Sequence, residues 1–432
     1  MFSHEVERQA GEFIACEQQF HLGFLPTEQS NPLSRTLEAD FRHASADGVR
    51  TLQRVDAEVA PMARRVLAGP EFAQLVERGG AVLRQGGRIV FSGCGATGRL
   101  SILLEAMWRN FFRRLREQGD PRGEAYENSV LSIMTGGEFA LIKSVESFED
   151  YAVFGRRQVA ELGMTAADML VAITEGGETS SVLGTLAEAT ERGAHAFLLF
   201  NNPAELLAER LERSREAIRN PNVTVIDLFC GPMGLAGSTR MQATTSEQLV
   251  AGAALERMAG ELLPDHAPRI DDFAAAYEAM LGQLAAPEAV RALAAAIEFE
   301  CDTYRQSGKI TYWAGDCLLD LFTDTTERSP TFMLPPFRMS DDTVSPQSWA
   351  FVKNPQLGTA AAWTRVLERP MRCLNWSAAD YRAMNAPEKL IRNPPELNDA
   401  ALLRFAIGNE TPTLRTGGPA DAGVLFTVSD GE

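Results

Sequence analysis

The sequence predicts an α/β protein: a doubly wound parallel sheet, with N-terminal helices before it and a second, degenerate or truncated α/β unit after it. Three observations carry this reading. Apolar runs of strand length alternate with helical patterns between residues 88 and 263. The first run passes directly into a glycine-rich turn and then a helix, over Arg88–Leu103. The strand-then-glycine theme returns at Lys309–Cys317.

Residues 1–24 have amphipathic helical spacing, with Phe13, Ile14, Phe20 and Leu22 on the apolar face. Leu25–Pro32 is polar and carries two prolines, so it is extended or looped. Helical pattern returns from Thr36 to Gly79 in two or three pieces, bounded near Asp56, Pro61 and Pro70. Strands are expected at Arg88–Ser92, Ser129–Met134, Met169–Ile173, Ala196–Phe200 and Val223–Phe229. Between them the pattern predicts a helix to about Gln118, another carrying Val145, Glu146, Glu149 and Asp150, and a third ending near Arg192. A long helix then runs to Leu263, where Pro264 and Pro268 break the chain. The expected domains are therefore an N-terminal helical segment over 1–60, a first α/β domain over 61–265 and a second over 266–432. The second begins with two helices over 270–306. Its strands are expected at 309–317, Thr331–Leu334, Met371–Trp376, Leu403–Ile407 and Val424–Val428. It lacks a Gly-x-x-Gly loop, carries Asp316 and Asp320 where a phosphate loop would not, and shows no closing helix. Those features mark it as degenerate or incomplete.

Composition narrows the function. The 432 residues carry a formal net charge of −17, which argues against nonspecific nucleic-acid binding, since that needs a basic footprint. No apolar run of about 18 residues predicts a membrane span, and the acidic N-terminus lacks an apolar signal core. A cytoplasmic protein is expected. The six cysteines form no CxxC pair and the five histidines have no metal spacing, so neither a disulfide framework nor a metal site is expected. No cofactor is implied.

The chemistry concentrates in glycine-rich loops. Gly93-Cys94-Gly95-Ala96-Thr97-Gly98 follows the first strand and opens a helix. Glycines let backbone approach a ligand, and a helix start offers unpaired N–H groups to an anion. The spacing also fits Gly-x-Gly-x-x-Gly, but no convincing acidic residue stands at the end of a second strand about 20 residues on, as a dinucleotide site needs. A phosphate monoester suits the loop better. A second loop, Glu175–Ser181, follows the third strand, and a third, Gly231–Thr245, follows the fifth. In such sheets ligands sit beyond the carboxyl ends of the strands.

Three segments resemble the sugar isomerase (SIS) domain family, and within it the N-acetylmuramic acid 6-phosphate etherases and the glucokinase regulatory proteins. They are Gly93–Leu100, Gly231-Pro232 with Gly237-Ser238-Thr239-Arg240-Met241, and Leu25–Pro32. Gly136-Gly137-Glu138 and Val145–Asp150 are weaker echoes. The resemblance spans roughly residues 25–260, and the second unit is more like the two-domain regulatory proteins. It implies an SIS fold that binds a phosphosugar through loop amides and hydroxyls. The residues it implies are Gly95, Ala96, Thr97, Gly98, Arg99, Glu138, Gly177, Thr179, Ser180, Ser181, Ser238 and Thr239. It also implies a homodimer and leaves room for a regulated protein partner, with no nucleic acid and no membrane.

The departures bear on catalysis. The acid/base glutamate that the etherases carry on the first helix aligns with Met107. Glu105 lies two residues earlier, about 200° around the helix, and is a weak substitute. The second family glutamate aligns with Glu149, the stronger catalytic candidate. Gln242 replaces the signature lysine, and Glu178 replaces an arginine of the second loop. Three functions stay open: a phosphosugar-binding regulator; an enzyme on the same site, either an etherase-like carbon–oxygen lyase or a sugar-phosphate isomerase using Glu149; and a non-catalytic interaction protein with a dead site. Enzyme chemistry of this kind removes a proton beside a carbonyl, for which Glu138, Glu175 and Glu178 also stand at loop ends. Glu138 and Glu178 also suit plain helix-dipole partners.

Overall fold

The computed structural model describes residues 3–17, 21–145, 147–238, 241–266, 270–410 and 418–427. Five helices come first: α1 (His4–Cys16), α2 (Leu37–His43), α3 (Ser45–Asp56), α4 (Val59–Leu67) and α5 (Pro70–Arg84). The first sheet follows as β1 (Ile89–Gly93), α6 (Gly95–Glu117), α7 (Pro121–Tyr126), β2 (Val130–Met134), α8 (Ala152–Glu161), β3 (Met169–Ile173), α9 (Ser180–Glu191), β4 (His195–Phe200), α10 (Ala204–Arg210), α11 (Glu212–Ile218) and β5 (Val223–Asp227). Then come α12 (Gln242–Leu262), α13 (Phe273–Leu284) and α14 (Pro287–Arg305). The second unit holds β6 (Ile310–Trp313), α15 (Leu318–Phe332), β7 (Ala350–Lys353), α16 (Thr359–Leu367), three short helices and β8 (Ala422–Leu425).

The first sheet is wholly parallel, in the order β2-β1-β3-β4-β5. Its interior strands β3 and β4 read as continuous apolar runs because both faces are covered, while the edge strand β5 is half-buried. The alternation is strict. Ile89, Phe91, Met169, Val171, Ile173, Phe197 and Leu199 face one core, with α4, α5, α6 and α12. Val90, Leu170, Ala172, Ala196, Leu198 and Phe200 face the other, with α8, α9 and α10. The order reverses between β1 and β3, so the crevice expected for a ligand lies where the β1–α6 and β3–α9 loops meet.

Among the described residues, the second unit is a three-stranded parallel sheet, β7-β6-β8. Its core continues into the first domain, joining Ile102, Met134, Phe139 and Phe154 to Phe322, Trp363, Trp376 and Phe405. Helix α15 packs on α6, and α13 packs back on α4.

Several expected elements differ. Thr331 and Phe332 end α15, and 371–376 and 403–407 are not strands. Residues 371–376 and 403–407 are apolar because they fill the joint core, and an apolar run alone does not distinguish that from a buried strand; Phe332 and Met333 are instead exposed. Residues 371–376 follow the first domain instead: the Arg372 N–H donates to Glu138 (2.6 Å). The helix expected around Val145–Asp150 is a 3₁₀ turn over Phe148–Asp150, entered through Ser147 at φ 66°. Glu146 lies outside the described residues. Among the described residues no helix is long and apolar enough to cross a membrane.

Buried ions fasten the two units. Glu105 accepts from Arg109 (2.9 Å), Arg369 (2.7 Å), Arg372 (2.7 Å) and the Ser132 hydroxyl (2.5 Å). Arg369 also pairs with Glu138 (2.5 Å). Burial pushes the Glu105 carboxyl up, but Arg369 and Arg372 outweigh it and hold Glu105 below the usual carboxylate value. Removing one member strands the others' charge. Arg369→Met is therefore expected to cost about 3–5 kcal/mol in urea unfolding. Arg392→Met, at an exposed pair with Glu388, is expected to change nothing measurable. Equal effects would contradict the anchoring role.

Candidate functional site

The Leu25–Pro32 segment straps three loops together. The Thr27 N–H donates to Asn202 Oδ1 (3.2 Å), and Asn202 Nδ2 donates to Thr27 Oγ1 (3.0 Å) and to the Gly176 carbonyl (3.1 Å). The Gly237 N–H donates to the Thr27 carbonyl (3.0 Å). Asn31 Nδ2 donates to the Pro232 carbonyl (2.7 Å) and to Glu58 (2.8 Å), and Ser34 Oγ donates to the Gly234 carbonyl (2.7 Å). Pro26 and Pro32 fix the backbone that makes these contacts. A sequence stretch without periodicity thus positions the loops after β3, β4 and β5.

The first loop turns sharply. Gly95 sits at φ 55°, and a Cβ on Gly93 would collide with the Thr97 carbonyl at 2.4 Å. Thr97 caps α6: its hydroxyl accepts from the Cys94 N–H (2.9 Å) and donates to the Cys94 carbonyl (2.8 Å). Ala96, Thr97 and Gly98 are buried in the first turn of that helix. Arg99 points inward. Its guanidinium donates to the carbonyls of Leu141 (3.1 Å) and Ala140 (3.2 Å) and pairs with Glu327 of α15.

In the second loop, Gly177 takes φ 76° and the Thr179 hydroxyl bonds that of Thr174 (2.9 Å). Ser180 opens α9, and Ser181 is buried against the Thr135 hydroxyl (2.8 Å). Glu178, the residue in place of an arginine, pairs with Arg213 of α11. In the third loop, Ser238 is 1% exposed and its hydroxyl has no partner. Gln242 braces that loop, accepting from the Gly234 N–H (2.9 Å) and donating to the Pro232 carbonyl (2.8 Å). Thr239 and Arg240 lie outside the described residues.

Carboxylates crowd these loops. Glu149 Oε2 lies 3.7 Å from the Cys94 sulfur. A Cβ on Gly95 would lie 3.5 Å from Glu327 Oε1, so the second unit places a carboxylate directly over the first loop. A Cβ on Gly237 would lie 3.1 Å from Glu28 Oε2. Burial raises the Cys94 thiol, and the charges of Glu149 and then Glu327 add to it. Glu28 is raised by burial and by Glu178. Glu175 is raised well above the carboxylate range by burial, then by Glu28, Glu327 and Glu178. Glu247 of α12 is fully buried and raised the same way, by burial and then by Glu175.

The structure thus brings together Gly95, Ala96, Thr97, Gly98, Gly177, Thr179, Ser180, Ser238 and Glu149 at the ends of the strands. Three of the expected site residues are engaged elsewhere. Glu105 is fully buried and every contact it makes belongs to the ion network on Arg369, so it does not reach the loops. Glu138 spends both oxygens on Arg369 and the Arg372 N–H, which leaves it a fastening of the second unit. Arg99 binds protein rather than offering a free cation. Glu247 and Glu327 escaped sequence reasoning. For Glu327 a signal exists: a shift of 220 residues lays Gly95 on Gly315 and Met107 on Glu327. Among the described residues no group of three or more His, Cys, Asp or Glu is placed to hold a metal.

Two buried carboxyls with raised pKa values make stability depend on pH. Their contribution is fully present below the ordinary value of 4.5 and is lost as pH rises through their raised folded values. Glu247→Gln removes one of them. It is expected to raise Tm at pH 8 by roughly 2–4 °C, about 1 kcal/mol for a domain of this size, and to leave Tm at pH 4.5 unchanged. Calorimetry at both pH values checks this; a Tm lowered at pH 8 would contradict it.

Residues 72–190 match the glucokinase regulatory protein N-terminal SIS domain. The N-acetylmuramic acid 6-phosphate etherase 1 of Bacillus licheniformis is 31% identical over 230 residues, which cover 53% of this chain and 67% of that protein. The N-acetylmuramic acid 6-phosphate etherase of Yersinia pestis is 32% identical over 229 residues, 53% and 68% of the two chains. The crystal structure of tagatose-6-phosphate ketose/aldose isomerase from Escherichia coli aligns at TM-score 0.36 and 12% identity, covering 76% of this chain and 70% of that one. The chain belongs to the sugar isomerase (SIS) domain family, on the side of the N-acetylmuramic acid 6-phosphate etherases and glucokinase regulatory proteins.

Proposed function

We propose that this protein binds a hexose or amino-sugar phosphate at the strand-end loops of its first domain. The observation that carries the proposal is Ser238. Its hydroxyl is buried without a partner, on a loop tied by Thr27 to the loops after β3 and β4. An unpaired buried hydroxyl costs about 1–3 kcal/mol, and a ligand oxygen would recover it. The helix starts at Gly95 and Ser180 supply N–H groups for the phosphate. The relatives named as etherases of a phosphorylated amino sugar are consistent with this ligand class.

Calorimetric titration with fructose 6-phosphate and N-acetylmuramic acid 6-phosphate tests it. Binding of at least one is expected, weakened about 10-fold by Ser238→Ala, which corresponds to about 1.4 kcal/mol. Absence of heat with every hexose phosphate would overturn the proposal.

A second reading, catalysis on the same site, is favoured by one specific arrangement. Glu149 and Glu327 both act on Cys94, one from each unit, so two carboxylates flank the first loop. In lyase or isomerase chemistry one would take the proton beside a carbonyl, and the other would protonate the oxygen that leaves or is reduced to a hydroxyl. Glu327 would then stand in for the acid/base residue missing at Met107. Turnover of N-acetylmuramic acid 6-phosphate is expected to fall at least about 100-fold in Glu149→Gln and in Glu327→Gln. Full turnover in either variant removes that residue from the mechanism.

A further inference from the structure

The side chains beneath the loops are short of hydrogen-bond donors. Glu175 Oε1, both oxygens of Glu247, Asn201 Oδ1 and Ser238 Oγ are buried without partners. Asn201 Oδ1 is an acceptor, and each carboxyl becomes acceptor-only once it gives up its proton. Asn201 and Glu247 are fully buried, and the Asn201 N–H donates to the Glu175 carbonyl (2.8 Å), which places Asn201 against the same loop. The arginines at hand are committed, Arg99 to Glu327 and Arg213 to Glu178. The charged groups acting on Glu175 are Glu28, Glu327 and Glu178, all acidic.

From the unpartnered oxygens of Glu175, Asn201 and Ser238, and from Glu28 over Gly237, we infer that the ligand carries a free, protonated amine. The bound sugar phosphate is a hexosamine phosphate, with its ammonium held by Glu175 and Glu28. This inference rests on the phosphosugar reading above and narrows it. An ammonium brings three N–H donors and one positive charge, the two things the site lacks. A divalent cation fits less well, because no third metal-ligating residue joins the pair among the described residues. Glu247, the deeper carboxyl, is kept neutral by burial, and its O–H can serve a neighbouring orphan acceptor. Glu175 is then the anion that meets the amine, and binding releases its proton to solvent. An N-acetyl group would offer one N–H and no charge, so acetylation removes the recognised feature.

Isothermal titration at pH 7.5 with glucosamine 6-phosphate, N-acetylglucosamine 6-phosphate and glucose 6-phosphate tests the inference on the full chain. Glucosamine 6-phosphate is expected to bind at least about 10-fold tighter than the other two, or about 1.4 kcal/mol. Glu175→Gln is expected to bring it down to the affinity of glucose 6-phosphate. Glu28→Gln, at a more exposed position, is expected to shrink the same ratio and serves where Glu175→Gln fails to fold. Equal or weaker binding of the amine, or a preference that survives in the variants, overturns the amine inference and leaves phosphosugar binding standing. Binding of none of the three overturns the amine inference, and if fructose 6-phosphate and N-acetylmuramic acid 6-phosphate are silent as well, phosphosugar binding falls with it.

Discussion

Arg99 leaves the first turn of α6 pointing into the protein. Its guanidinium holds two carbonyls of the segment after β2 and one carboxylate from the second unit, Glu327. Three pieces of chain far apart in sequence therefore meet at one buried cation, directly under the first glycine loop. A guanidinium suits this role because its planar fork serves several acceptors and never gives up its charge. Without it, Glu327 would lose the guanidinium that pairs it, while it still acts on Glu175. The shape of the site and the attachment of the second unit depend on the same pair.

The ion network on Glu105 completes that attachment in the middle of α6. Buried pairs of this kind add little to net stability, because desolvation offsets most of the attraction. What they add is register: Arg369 and Arg372 satisfy Glu105 and Glu138 in one seating of the second unit. That seating carries Glu327 to the first loop, where Glu149 also lies beside Cys94. The site then has carboxylates from two units, hydroxyls from three loops and an excess of acceptors. The proposed hexosamine phosphate would match that excess, as a donor-rich, partly cationic ligand whose phosphate is met by backbone N–H groups.

The first sheet was legible because its interior strands are buried on both faces and read as uninterrupted apolar runs between glycine turns. Met169–Ile173 is the clearest case, expected and found with the same ends. The second unit was less legible for a related reason. Residues 371–376 and 403–407 look like strands but are apolar because they fill the core shared with the first domain, while the real strand β7 is only four residues long. At the site, the loop glycines and hydroxyls announce themselves by chemistry at strand ends. The roles of acidic residues do not. Glu105 looked close to the missing acid/base by position, yet its helix face is set by Arg369, 264 residues away. Glu327 comes from another unit altogether, and only the weak internal repeat points to it. Glu247 sits on a helix face whose burial no local pattern reveals.

The most direct measurement of the central claim is a crystal structure of the protein soaked with a hexose phosphate. The phosphate is predicted within hydrogen-bond distance of the Gly95–Gly98 backbone, with a sugar oxygen on Ser238 Oγ and the ring between Glu149 and Glu327. A sugar phosphate bound elsewhere, with Ser238 still unpartnered and Glu327 turned away from the ring, would contradict it.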